Sequence, residues 1–151
     1  MGSRHARNAK QLDCEIVLCD SSPDKLRSLQ SELAVHEIYT DLETALQESH
    51  VDAIVIASPS HLHATHATIA ANHSVGILME KPLCANLEEA KTLESLVNSQ
   101  NIVFMMAHTY RFRSEWQEVK SILEKSPIGR VYSAEFAGGW FLPDWHIGQD
   151  Y

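Results

Sequence analysis

The sequence predicts an α/β fold with a doubly wound, mainly parallel sheet. Three observations support this. Apolar segments of strand length alternate with helical periodicities from Cys14 to Ala107, an order that implies βαβ units and right-handed crossovers. The connections between them are short. The polar clusters fall where the strands end, at Asp20, Ser58-Pro59-Ser60, Glu80-Lys81-Pro82 and His108, and open α/β sheets hold their ligands at the carboxyl ends of strands.

The segment from Gly2 to Leu12 places Ala6, Ala9 and Leu12 at helical spacing and reads as a short helix starting at Gly2 or Ser3. Cys14 to Asp20 is mostly apolar and closes on a carboxylate, so it reads as a buried strand. Ser22-Pro23-Asp24 combines an N-cap, a proline at the first helical position and an acid in the first turn, with Leu26, Leu29 and Leu33 along one face of the helix. Val35 to Tyr39 is a short strand, and Asp41 caps a helix to about Ser49. Val51 to Ala57 is apolar and β-branched on both faces, as a central parallel strand should be. A helix is expected from about His61 to Asn72, then a strand from Val75 to Met79. Asn86 and Glu89 have the spacing of a capping box, and Leu87, Ala90, Leu93, Leu96 and Val97 form the buried face that follows. Ile102 to Ala107 is the fifth strand and Ser114 to Glu124 the next helix. From Val131 to Ala137 partial alternation suits a strand of an antiparallel sheet with one wetter face.

Bulk properties exclude several classes of function. The chain has 151 residues, 44% apolar and 21% charged, with a formal net charge of −8. A polyanion partner needs a clustered basic surface, so no nucleic acid is expected. Helix N-termini can still bind a local phosphate without net positive charge. Cys14, Cys19 and Cys84 form no C-x-x-C pair, so a reducing cytoplasm is the expected compartment. No apolar run reaches the roughly 20 residues of a membrane span, and no membrane partner is expected. His61, His63 and His66 are spaced i, i+2, i+5 without an acidic residue between Val55 and Met79, which argues against a metal site.

Asp20 narrows the ligand class. In dinucleotide-binding folds an acid closing the second strand, about 20 residues past a glycine turn, accepts hydrogen bonds from the adenosine ribose. Here 18 residues separate Gly2 from Asp20. The same carboxylate repels a 2′-phosphate, so NAD is expected over NADP. An aspartate after a strand is also a common turn former.

The segment Val51 to Pro82 resembles the Gfo/Idh/MocA oxidoreductases, the family of glucose–fructose oxidoreductase and inositol dehydrogenase. The residues are Ser58-Pro59-Ser60-His61-Leu62-His63 after one apolar strand and Glu80-Lys81-Pro82 after the next. His108-Thr109-Tyr110-Arg111-Phe112 resembles the segment after the family's sixth strand, and Leu142-Pro143-Asp144-Trp145 the entry to its substrate domain. The resemblance implies a Rossmann-like sheet and an NAD-dependent oxidoreductase acting on a hydroxyl of a small sugar, nucleotide sugar or cyclitol. It implies that Lys81 is catalytic, orienting the alcohol and favouring the developing alkoxide. Glu80 would contact the cofactor or hold Lys81, and Pro82 would shape the loop. Gly2, Ser3, Ser58, Pro59, Ser60, His63 and His108 would line the cofactor groove. Arg111, Trp140, Asp144 and Trp145 would border the substrate.

The family pattern also has parts not found here. Its first strand and G-x-G-x-x-G turn should precede the first helix, and Met1-Gly2 looks like the last two positions of that turn. Its catalytic histidine belongs to a downstream D-x-x-H-x-x-D/E-like segment, whereas the sequence ends at Tyr151 and His146 lies in a different context. The expectation is therefore residues 1–127 as a dinucleotide-binding domain lacking its first strand, with residues 128–151 beginning a second, α+β substrate domain. In the strand order 3-2-1-4-5-6 the first strand sits between the second and fourth. Its absence would expose the edges at Ile16-Val17-Leu18 and Ile54-Val55-Ile56 and invite pairing with another chain. The fragment alone is then expected to bind NAD weakly and to be inactive. Two alternatives stay open: a noncatalytic partner subunit of a full-length relative, and a truncated reading frame without a role.

Overall fold

In the computed structural model, which describes residues 1–139, helices and strands alternate from the start. They are α1 (Gly2–Gln11), β1 (Val17–Cys19), α2 (Pro23–Leu33), β2 (Glu37–Tyr39), α3 (Leu42–Glu48), β3 (Ala53–Ile56), α4 (His63–Asn72), β4 (Gly76–Met79), α5 (Leu87–Gln100), β5 (Phe104–Met106) and α6 (Ser114–Glu124). A 3₁₀ turn, Ser60–Leu62, precedes α4, and another, Thr109–Phe112, precedes α6. The strands are shorter than the apolar runs containing them, since a residue counts in the ladder only where a neighbour pairs with it.

Every pairing is parallel. β1 pairs with β2, and β4 lies between β3 and β5. Ile56 aligns with Met79, and Met79 with Met106. Among the described residues no strand joins β1 to β3, so the two sheets are not hydrogen-bonded to each other. Although β3 has the composition of a central strand, Val55 is 41% exposed.

Small residues set the packing of the larger core. The buried face of α4 is His63, Ala67, Ala70 and Ala71. This spacing of i, i+4, i+7 and i+8 traces one stripe of a helix. The three alanines let the helix approach the sheet and α5 closely. Ile56, Ile77 and Met79 from the sheet and Leu93 and Val97 from α5 complete the cluster. A second cluster joins Leu18, Leu26 and Val35. The start signals read from sequence hold locally. Pro23 opens α2, Asp41 Oδ1 accepts the Thr44 N–H at 2.8 Å, and Asn86 Oδ1 accepts the Glu89 N–H at 2.9 Å.

Four expectations are corrected. Leu87 was expected on the buried face of α5 but is 66% exposed, because α5 begins there and its buried residues, Leu93 and Val97, come later. Cys14 to Asp20 was expected as a buried strand, but of β1 only Leu18 is buried, one edge of that strand having no partner among the described residues. Leu12 was expected to belong to the first helix, at helical spacing with Ala6 and Ala9, but α1 ends at Gln11 and Leu12 is 76% exposed. Val131 to Ala137 forms no strand; its alternation is present, but no neighbouring strand among the described residues pairs with it. Internal contacts group Met1–Thr109 as one compact unit and place Tyr110 at the start of a second. α6 thus groups with the residues after it, ahead of the composition change near residue 127. Within the second unit Trp116 contacts Tyr110 and Phe136, with ring centroids 6.2 and 5.4 Å away. No helix among the described residues is long and apolar enough to cross a membrane.

Candidate functional site

The register fixes the site. Ser58, Lys81 and His108 each lie two residues beyond the aligned positions Ile56, Met79 and Met106. The ladder runs on just past the strands: the Glu80 N–H donates to Ile56 O at 2.9 Å and the Ala107 N–H to Met79 O at 2.7 Å. Three neighbouring parallel strands therefore deliver the three loops side by side at their carboxyl ends, where the sequence predicted a ligand edge.

Glu80 and Lys81 are treated differently by the fold. Glu80 is buried, at 6% exposure, while Lys81 is exposed. His5, on α1, donates Nε2–H to Glu80 Oε1 at 2.9 Å, and the Lys81 backbone N–H donates to Glu80 Oε2 at 3.3 Å. Burial pushes the Glu80 carboxyl up. The hydrogen bonds from His5 and the Lys81 amide, with the charges of both residues, pull it further down, so it lies below its ordinary value. The carboxylate is thus held ionised beneath an exposed ammonium.

Helix α1 brings its N-terminus to this region. The Arg4 and His5 N–H groups turn back to Met1 O, so the amides of Gly2 and Ser3 are among the first-turn donors that lack a helical acceptor. A Cβ on Gly2 would stand 3.9 Å from the Ala57 Cβ, an ordinary contact; space alone does not require glycine there. No acidic side chain occupies this first turn, which leaves its positive dipole end suited to an anion.

Ser58, Pro59 and Ser60 form the turn out of β3, with Pro59 and Ser60 exposed. The Ser58 Oγ lies 3.0 Å from His66 Nδ1. Burial, and then the neighbouring His63, push His66 below the usual histidine value. His63 was expected to line the groove. Its side chain is 1% exposed and lies beneath the loops, since α4 begins at His63 and turns it onto the alanine face. Asp20 continues β1, its N–H donating to Tyr39 O at 3.2 Å. Its Oδ1 accepts the Ser22 N–H at 2.8 Å, so it also serves as the turn former that opens α2. His108 is exposed at the end of β5.

Arg111 is exposed and belongs to the second unit. Trp140, Asp144 and Trp145 lie outside the described residues. Sequence reasoning missed His5. Its signal was available: His5 stands four residues before Ala9, and both are half-buried on the inward face of α1.

Comparison with known proteins places this geometry. The family model described as an oxidoreductase family with an NAD-binding Rossmann fold (GFO_IDH_MocA) matches residues 1–108. The chain is 30% identical to levoglucosan dehydrogenase of Pseudarthrobacter phenanthrenivorans over 137 residues, which cover 91% of the chain and 34% of that protein. It superposes on myo-inositol 2-dehydrogenase of Lactobacillus plantarum with a TM-score of 0.81 and 25% identity, covering 86% of the chain and 40% of the relative. The WlbA dehydrogenase of Bordetella pertussis, solved with NADH and UDP-GlcNAcA, gives a TM-score of 0.76 and 26% identity, covering 82% of the chain and 36% of the relative. The chain thus spans little more than a third of the length of such relatives.

Proposed function

The chain belongs to the Gfo/Idh/MocA oxidoreductases, an NAD-binding Rossmann family, and from that premise we propose that it carries the cofactor side of a dehydrogenase acting on a hydroxyl of a sugar, nucleotide sugar or cyclitol. NAD is the preferred carrier. The observation that supports this most is the register: Ser58, Lys81 and His108 emerge together at adjacent strand ends, with an ionised Glu80 buried beneath Lys81.

The donor set fits a dinucleotide. The first-turn amides of Gly2 and Ser3 suit a diphosphate. Asp20 suits the ribose hydroxyls and disfavours a 2′-phosphate. Ser58, Pro59, Ser60 and His108 form the groove wall toward the nicotinamide, whose bound ring would supply the hydride acceptor or donor. The Lys81 ammonium orients the substrate hydroxyl and stabilises negative charge on its oxygen. Glu80, held by His5, keeps the backbone of Lys81 in place. Arg111 borders the substrate together with Trp140, Asp144 and Trp145, the last three in a second domain assigned to residues 128–151.

On its own the 151-residue chain is expected to bind NAD weakly and to turn over no sugar, because among the described residues β1 and β3 each keep an unpaired edge. Saturation-transfer difference NMR, which detects weak ligands, tests the reading. NAD should give signals from both its adenine and nicotinamide protons, and Asp20→Ala should reduce the adenosine signals most. No signal from NAD at millimolar concentration would overturn the assignment, and micromolar affinity would overturn the weakness. One observation favours a second reading, a partner subunit that pairs through its sheet: the exposed Val55 on the open edge of β3. Light scattering of the chain with and without Val55→Lys separates the two, since only a paired species loses mass on substitution.

A further inference from the structure

We propose that His63 is the positioning residue of this site, a buried two-donor clamp that ties the loop after β3 to the loop after β4 and so aims Lys81. Its role toward Lys81 rests on the function proposed above; the clamp itself does not.

His63 heads a helix face otherwise made of alanine, at 1% exposure. Its Nδ1 lies 2.6 Å from Pro82 O and its Nε2 2.9 Å from Ser58 O. Both partners are carbonyl oxygens, which only accept. A neutral imidazole has one N–H and one lone pair, so it can satisfy one carbonyl and must turn a lone pair toward the other. Both contacts are hydrogen bonds together only when the ring carries a proton on each nitrogen.

The position of the clamp explains what it does. The backbone ladder between β3 and β4 ends with the Glu80 N–H on Ile56 O. Past that bond, no backbone hydrogen bond among the described residues joins Ser58 and Pro59 to Lys81 and Pro82. The imidazole ring is the next link: it joins the Ser58 carbonyl on one loop to the Pro82 carbonyl, one residue past Lys81, on the other. On the other flank His5 holds Glu80. Lys81 therefore sits between two histidine tethers, one on the residue before it and one on the residue after it. His66 shares Ser58, meeting its hydroxyl while His63 meets its carbonyl.

The test begins with the unmodified chain labelled with ¹⁵N. Both ring nitrogens of His63 should carry protons that exchange slowly with water; one unprotonated nitrogen would overturn the two-donor clamp. His63→Ala is then examined by the backbone amide signals of Ser58, Ser60 and Lys81. Added imidazole should return them to their original positions, whereas 1-methylimidazole, whose methylated nitrogen can never donate and which therefore offers at most one N–H, should not. Equal restoration by both would show simple cavity filling and sink the clamp. In the same variant the saturation-transfer signal from nicotinamide protons should be lost while the adenine signal is kept; loss of both together would contradict a role in aiming Lys81. If His63→Ala fails to fold, the ring N–H measurement still decides. The first two measurements use no cofactor, so an intact clamp in a chain that does not bind NAD would count against the proposed function alone.

Discussion

Replacing Glu80 by glutamine isolates the electrostatic core of the site. The substitution keeps the side-chain shape but puts a neutral amide against two donors, the His5 ring and the Lys81 backbone N–H. Hydrogen bonds to a charged, buried partner contribute about 1.5–3 kcal/mol, and Glu80 is buried enough for that range to apply, with its side chain 8% exposed. For a unit near 100 residues, 1 kcal/mol moves the midpoint by about 4 °C or more, so Glu80→Gln should melt roughly 6–12 °C below the unsubstituted chain at pH 7. The sign of the pH dependence follows from the carboxyl lying below its ordinary value in the folded state. Such a group stabilises the fold fully above its unfolded value, and the contribution is lost as pH falls through the folded value. The gap between the two proteins should therefore be constant near neutrality and close in acid, below the usual glutamate range. Circular dichroism melts over a pH series measure this, and a cycle with His5→Ala should return a coupling of about 1 kcal/mol or more. Equal melting points at pH 7, or a gap that widens in acid, would refute the reasoning.

Met79 is fully buried at the centre of the three-stranded sheet, and Met79→Ala should cost about 2–5 kcal/mol, read by urea unfolding; a cost under about 1 kcal/mol would show a poorly packed centre. Asn86→Ala removes the acceptor for the Glu89 N–H at the start of α5 and should cost about 1 kcal/mol in the same assay. The Cys19 thiol is pushed up to about 11, by burial first and then by the carboxylates of Asp41 and Asp20, so at pH 8 only about one molecule in a thousand carries the reactive thiolate there. Alkylation at Cys19, followed by mass spectrometry, should be slow at pH 8 and quicken about tenfold per pH unit; rapid labelling at neutral pH would contradict the raised thiol.

Elements with strong local signals were legible from sequence. α6 occupies the predicted Ser114–Glu124, and α5 starts at its Asn86 cap. Both depend on contacts a few residues apart. The segment from Val131 to Ala137 shows the opposite case. Alternation describes which face a side chain would take if a strand formed, but the ladder needs a partner that no local pattern supplies. The burial of His63 was harder to read, for a subtler reason. A helix read as starting near His61 gives no reason to set His63 apart, whereas the 3₁₀ turn Ser60–Leu62 delays the start and fixes its direction. The alanines at positions 67, 70 and 71 already marked the inward stripe, and stepping back four residues from Ala67 arrives at His63. For the same reason His5 was legible in principle, four residues before Ala9.

The composition of β3 bears on how the site is assembled. Ala53-Ile54-Val55-Ile56 is apolar on both faces, yet β4 is its sole partner among the described residues. Ser58, Lys81 and His108 share one ladder, so backbone hydrogen bonds fix their spacing. Asp20 belongs to the other sheet, and helix contacts, α1 on β3 and α2, and α3 on β1, β2 and α4, set its distance from that trio. A dinucleotide held by Asp20 at its ribose and by the Lys81 loop at its nicotinamide would bridge the two sheets and bind fully only while they keep their mutual position. Its binding energy would then be spent partly on holding the sheets together. Any strand pairing with β1 and β3 at once should therefore raise cofactor affinity without touching the cofactor, because it would fix in advance the spacing that binding must otherwise impose.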